Sequence, residues 1–195
     1  MAKSRTTWII LIIVVLIGLW LIRIYNSLVT ADENVSTAWS QVENVYQRRL
    51  DLIPNLVNTV QGAADFERNT LNEVIQARAA ASSINLDAAN LNEANLAAFQ
   101  QAQDGLGQAL SRLMVVVERY PELKANQNFR DLQSQLEGTE NRIAVERNRF
   151  NEAVRIYNTS IRRFPKNVIA GIFGFEARAY FQAEENAQKA PQVQF

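Results

Sequence analysis

The chain has 195 residues, enough for one ordinary domain, and its 20 basic and 20 acidic side chains cancel. A general nucleic-acid binder needs a basic excess, so no nucleic-acid partner is expected. With no cysteine and no histidine, disulfide scaffolds, Cys/His zinc sites, haem, thiol nucleophiles and Ser–His–Asp triads are excluded, and no cofactor is implied.

Trp8 to Ile22 is an unbroken apolar run, and seventeen residues from Trp8 to Ile24 would span about 26 Å as a helix, near the lower limit for crossing a bilayer. Trp8, Trp20 and Tyr25 are placed as interfacial anchors, and Arg23 can carry its charged head out to the interface along an apolar stem. The competing reading is a cleaved signal peptide ending at Val29-Thr30-Ala31. The distance from the apolar run to that site, across Arg23-Ile24-Tyr25, favours a retained anchor. Lys3 and Arg5 before the run, against Arg23 and then Asp32 and Glu33 after it, orient the N-terminus to the cytoplasm. The expected divisions are a tail and span over 1–25, a helical domain over 26–188 and a C-terminal tail over 189–195.

Few glycines and prolines favour long helices over a turn-rich β fold. Two interleaved series, Val35, Val42, Arg49, Leu56, Ala63 and Trp39, Tyr46, Ile53, Val60, keep coiled-coil spacing across Pro54. One helix from the membrane to about residue 81, kinked near Pro54, is the favoured reading. The alternative is a break, with Asp51 capping a new helix. Residues 81–92 read as a loop rich in Ser, Asn and Asp. The next helix would bury Leu96, Phe99, Leu106, Leu110, Leu113, Met114 and Val117 and stop at Tyr120-Pro121. Another, starting near Asn126 or Asn128 and ending before Pro165, carries Phe129, Leu132, Leu136, Ile143, Phe150, Val154, Tyr157 and Ile161 on one stripe. The last element, Asn167 to about Gln188, is aromatic and apolar and reads as the fourth helix. The expected fold is all-α: a transmembrane helix continuing into an elongated antiparallel four-helix bundle.

Several ordered motifs carry a resemblance. Tyr25-Asn26-Ser27-Leu28-Val29 and Ala38-Trp39 precede the most specific, Arg48-Arg49-Leu50-Asp51-Leu52-Ile53-Pro54-Asn55-Leu56-Val57. Tyr120-Pro121-Glu122-Leu123-Lys124-Ala125-Asn126 and Thr139-Glu140-Asn141-Arg142-Ile143 follow, then Arg147, Phe150-Asn151, Tyr157-Asn158, Phe164-Pro165 and Gly174-Phe175. Together they resemble the LemA family of bacterial membrane proteins over nearly the whole chain. The resemblance implies a helical bundle on one membrane anchor and supplies no catalytic activity. Some members are encoded beside membrane metalloproteases, which suggests a protease or another envelope protein as a partner.

Polar side chains interrupt the apolar stripes at Arg49, Glu67, Glu140, Arg147, Asn151 and Asn158. Buried charges must be paired, so these are expected to bond between helices and fix register. Glu140 and Arg147 are placed on the inner stripe, where losing Arg147 would cost a few kcal/mol. The carboxylate pairs Asp65/Glu67, Glu118/Glu122, Glu137/Glu140 and Glu184/Glu185 read as solvated helix faces. An enzyme with an unrecognised carboxylate site is the rival from another class.

Arg162, Arg163 and Lys166 read as cations offsetting a helix C-terminus, at an end held far from the membrane by an up-down-up path. Lipid binding there is therefore not expected. Phe173, Phe175, Tyr180, Phe181 and Phe195 are the candidate interaction surface. The combined reading is a non-enzymatic scaffold or adaptor in the bacterial inner membrane, with an extracytoplasmic bundle. It contacts the lipid bilayer, forms a homo-oligomer and works through protein contacts; the more specific rival is a regulatory partner of a membrane metalloprotease.

Overall fold

The computed structural model describes residues 2–62 and 67–182. Within them the chain is all-α, without strands. Helix α1, Ala2–Gln61, is 60 residues long, about 90 Å at the usual rise. Its large apolar side chains from Trp8 to Ile22 are exposed, and it is the one described helix long and apolar enough to cross a membrane. From Ile24 onwards one face is buried. Val35, Trp39, Val42, Tyr46, Arg49, Ile53, Leu56 and Val60 all turn inward, as the two interleaved series require.

Helix α1 runs through Pro54 without a break. A proline removes the N–H that would bond the carbonyl four residues back, which here belongs to Leu50. The structure replaces that donor with Arg78, whose Nε donates to Leu50 O at 3.0 Å. The helix ends seven residues later, so the expected single helix to residue 81 is two. Gly62 N still donates to Asn58 O at 3.3 Å, and then the chain reverses into α2, Arg68–Ser83. Gly62 supplies the weak point, since its lack of a side chain costs a helix roughly 1 kcal/mol against alanine. Ala63, the last member of the first series, lies outside the described residues.

That break resets every later direction. Helix α2 returns along α1 towards the apolar span, and residues 84–92 continue the same way with only a 3₁₀ turn at Ala88–Asn90. Asn92 caps α3, Glu93–Val117, by accepting from Asn95 N at 2.9 Å. Helix α3 leads outward against α2, and the short α4, Pro121–Ala125, turns the chain. Asn126 then caps α5, Gln127–Arg162, which returns along α1 over most of its length. The four bundle helices are thus α1, α2, α3 and α5.

The last element departs from expectation. Among its described residues only Lys166–Phe173 is helical (α6), and Gly174 ends it in the left-handed region at φ 73°. Residues 175–182 are outside any helix and run back outward as a strap over the bundle. They do not form a fourth helix. The up-down-up path is likewise replaced by up-down-up-down, which brings the Arg162-Arg163-Lys166 cluster to the span end: Lys166 Nζ donates to Ser27 Oγ at 2.6 Å.

Two apolar clusters fill the bundle. The one far from the span is largely aliphatic, built from Ile53, Leu56, Val74, Leu106, Leu113 and their neighbours. The one near the span is aromatic, centred on Trp39 with Phe99, Phe150 and Phe181.

Candidate functional site: a buried arginine and a strapped groove

Where the two clusters meet, Arg49 is 3 % exposed. Its Nη1 donates to Glu140 Oε1 at 2.7 Å, and its Nη2 donates to Gln103 O at 3.0 Å and to Gln103 Oε1. The guanidinium also lies over the Tyr46 ring, 5.1 Å from its centroid. One group thereby ties α1, α3 and α5 at a single level. Its Nε is buried without a partner. Burial pushes the Tyr46 hydroxyl above its ordinary pKa, against the opposing pull of Arg147 and Arg49.

A cleft of about 270 Å³ opens beside this centre, where α2 ends. Glu43, Tyr46, Asn85 and Gln103 supply polar groups to it, and Leu86 and Phe99 apolar ones. Burial raises the pKa of Glu43; the nearby Trp39 indole N–H opposes that, and the charge on Asp87 adds to the rise. Among the described residues no group of acidic side chains is arranged to hold a metal ion.

The strap is held by a different device. Asn158 Nδ2 donates to Arg178 O and its Oδ1 accepts from Arg178 N, both at 2.9 Å. Asn151 does the same for Phe181, at 3.2 and 2.9 Å. Each asparagine amide pairs with both backbone groups of one strap residue, its N–H and its C=O, as a residue of a neighbouring antiparallel strand would. The spacing explains the register: seven residues of helix rise about 10.5 Å and three of extended chain about 10 Å.

Tyr157 OH donates to Glu176 O at 2.8 Å, and Gln100 from α3 both donates to and accepts from Gln182. Burial pushes the Tyr157 hydroxyl up to about 12. Arg178 leaves the strap to grip Asp32 of α1, with Nε and Nη2 contacts of 3.0–3.2 Å, and its Nη1 donates to Ala89 O. The segment before α3 is pinned as well, by Trp39 Nε1 donating to Leu86 O at 2.9 Å.

The predicted polar residues therefore divide. Arg49 and Glu140 form an interhelical pair, with the Glu140 side chain still 49 % exposed. Asn151 and Asn158 bond the strap, not another helix. Arg147 is half-buried: its guanidinium stacks 4.8 Å from the Phe181 ring centroid and Nη2 donates to Gln182 O. Glu67 is exposed and pairs with Arg119 at 3.4 Å, because α1 ends before the stripe that would have buried it reaches residue 67.

Of the other carboxylates, Glu118 pairs with Lys124 and Glu137 accepts from Gln133. Asp65, Glu184 and Glu185 lie outside the described residues. Trp8, Trp20 and Arg23 are exposed along the span, and Tyr25 packs against Phe173 in a tilted pair at 4.9 Å and edge-on against Phe175 at 5.8 Å. In the proposed interaction surface, Phe173 and Tyr180 are exposed, Phe175 is half-buried and Phe181 belongs to the core; Phe195 lies outside the described residues.

Sequence reasoning missed Arg78, Gln103 and Arg178. Only Arg78 had a readable signal, because Pro54 announces an unpaired carbonyl that some donor must meet.

A helical bundle continuous with one helix long and apolar enough to cross a membrane, covered at its near end by a strap, defines an all-α bundle protein associated with a membrane. The chain belongs to the LemA family, which matches residues 38–195. It is 30 % identical over 194 residues to magnetosome protein MamQ 2 of Paramagnetospirillum magneticum, covering 89 % of this chain and 70 % of that one. Against magnetosome protein MamQ of Magnetospirillum gryphiswaldense the identity is 29 %, over 80 % of this chain and 64 % of that one. It is 24 % identical to protein LemA of Metamycoplasma hominis, over 82 % and 69 % of the two chains.

Proposed function

We propose that this chain is a non-enzymatic adaptor of the bacterial inner membrane, with its N-terminus in the cytoplasm and its bundle outside. One observation carries the reading. Arg49, Asn151, Asn158 and Arg178, the polar side chains with the strongest geometry, are all engaged with the chain's own helices and backbone. Such groups hold a shape, and the shape is rigidly joined to the span through an unbroken α1. Bundles fixed this way share one direction on the membrane, so weak side contacts act at high effective concentration, and the full-length protein forms a homo-oligomer.

Exposed apolar side chains away from the span, Val115 on α3 and Val145 on α5, mark the faces open to such contacts. A photocrosslinking residue at each position, introduced in living cells, tests this. Discrete adducts, including one of twice the chain's mass, are expected. Absence of every adduct from both faces would reject the adaptor reading. A reporter fused after Phe195 checks the orientation: extracytoplasmic activity is expected, and cytoplasmic activity would reverse it.

A further inference from the structure

We infer that α6 and the turn before it form a second membrane contact, an interfacial helix that dips an apolar face into the bilayer and presents arginines to anionic lipid headgroups. The inference rests on the membrane-anchored reading of α1. Three observations carry it.

The first is position. Helix α6 spans about 10 Å between its ends. Yet its first residue, Lys166, bonds Ser27, and the ring of its last, Phe173, packs against that of Tyr25. Those partners are only about 3 Å apart along α1, so α6 lies across α1 and not along it. It crosses directly after the apolar run, where Ile24 is already buried with Ile169 and Ala170 in the same cluster. A helix lying across the membrane-crossing helix, at the residue where that helix leaves the bilayer, lies in the interface.

The second is exposure. Ile169 and Ala170 face the bundle, whereas Val168 and Ile172, one turn apart on the opposite side, are 51 % and 70 % exposed. Phe164, immediately before α6, is 83 % exposed, the highest value among the large apolar side chains outside the bundle core. An apolar face of this kind, on an element at the level of the headgroups, is the pattern of helices that lie in the membrane plane. The occupant is identified by continuity: the same bilayer that covers Trp8–Ile22 lies beside it.

The third is charge. Arg162 and Arg163 are exposed at the end of α5, next to Phe164, and Arg23 is exposed on α1 at the same end of the bundle. The chain beyond the span carries a net negative charge spread along the bundle, yet these three exposed arginines stand together at the membrane end, where they complement anionic headgroups.

The absence of cysteine makes the test clean. Full-length protein carrying Ile172→Cys, labelled with an environment-sensitive fluorophore, is reconstituted in phosphatidylcholine–phosphatidylglycerol vesicles containing nitroxide lipid. Val15→Cys within the span and Ser134→Cys on the far part of α5 are the references. Loss of emission and a blue shift are expected at 172 and 15, and neither at 134. Quenching at 15 without quenching at 172 would overturn this inference while sparing the anchor. No quenching at 15 would overturn the anchored reading itself. Equal quenching at 134 would show a bundle lying flat on the membrane and would overturn a contact specific to α6. Arg162→Glu with Arg163→Glu is expected to restore emission at 172 in these vesicles; unchanged quenching would remove the arginines from the contact.

Discussion

The half of the bundle far from the span and the half near it solve the same problem differently. The far half is built from four helices, α1, α2, α3 and α5, over an aliphatic core. A helix interior satisfies its own backbone, so this half needs few polar side chains inside, and the carbonyl that Pro54 deprives of its helical donor, Leu50 O, is met by Arg78. In the near half α2 has ended, and two segments with little helix, 84–92 and 175–182, take its place. Chain outside a helix satisfies little of its own backbone. The near half therefore supplies Trp39, Asn151, Asn158 and Tyr157 as partners, and packs large aromatic rings where a helix would have packed leucines. The contrast teaches that the polar residues on these stripes do not mainly choose helix register. They mark where the bundle stops being made of helices.

Trp39 offers the largest break in that contrast. It is fully buried, touches three rings and bonds Leu86 O. Trp39→Ala should destabilise the protein by about 3–5 kcal/mol. Trp39→Phe, which keeps a ring but loses the donor, should cost about 1 kcal/mol. Denaturant unfolding in lipid discs measures both. Equal losses for the two variants would mean that the bond to the 84–92 segment is what matters and the ring packing is not.

A smaller effect sharpens the far side. Arg78→Ala should cost about 1 kcal/mol by leaving Leu50 O unpaired. In a Pro54→Ala background the helix regains its own N–H, so the same substitution should cost clearly less. Additive losses in that cycle would show that Arg78 serves some purpose unrelated to the proline.

The smallest effect concerns the cleft at the junction of the halves. The folded-state pKa of Glu43 lies above its ordinary value of 4.5. The stability contributed by its protonated form is complete below that value and is lost as pH rises through the folded pKa. Glu43→Gln should therefore stabilise the protein at neutral pH and make no difference in acid below 4.5. A pH-independent change in the unfolding midpoint would place the cause in packing.

Most helix faces were legible in the sequence. The 3–4 alternation on α1 named its buried residues correctly from Val35 to Val60, and the stripe on α5 did the same. The break after Gln61 was not, since Gly62-Ala63-Ala64 carries no proline and no cluster of polar turn residues. Missing it reversed the direction of everything downstream and sent Arg162, Arg163 and Lys166 to the wrong end. The strap was hidden for another reason. Its composition, aromatic and alanine-rich, suits a helix, and its inward set of Phe175, Ala179 and Phe181 shows a two-residue period only in part. Gly174 was the available signal, because a glycine placed just after an apolar helical turn is the usual left-handed stop. Asn151 and Asn158 were correctly singled out as inward polar residues, but their partner is backbone, which no pattern of side chains reveals.

The central claim, that side-chain amides replace helix in the near half, is tested most directly by hydrogen exchange on the full-length protein carrying Asn151→Ala and Asn158→Ala. The strap should lose protection at Arg178 and Phe181, whose N–H groups those amides hold, and residues 84–92 should loosen with it through the Arg178–Ala89 bond. Amides around Leu56, Val74 and Leu113 in the far half should exchange as in the unmodified protein. Uniform loss of protection along the whole bundle, or full retention at 178 and 181, would contradict the account.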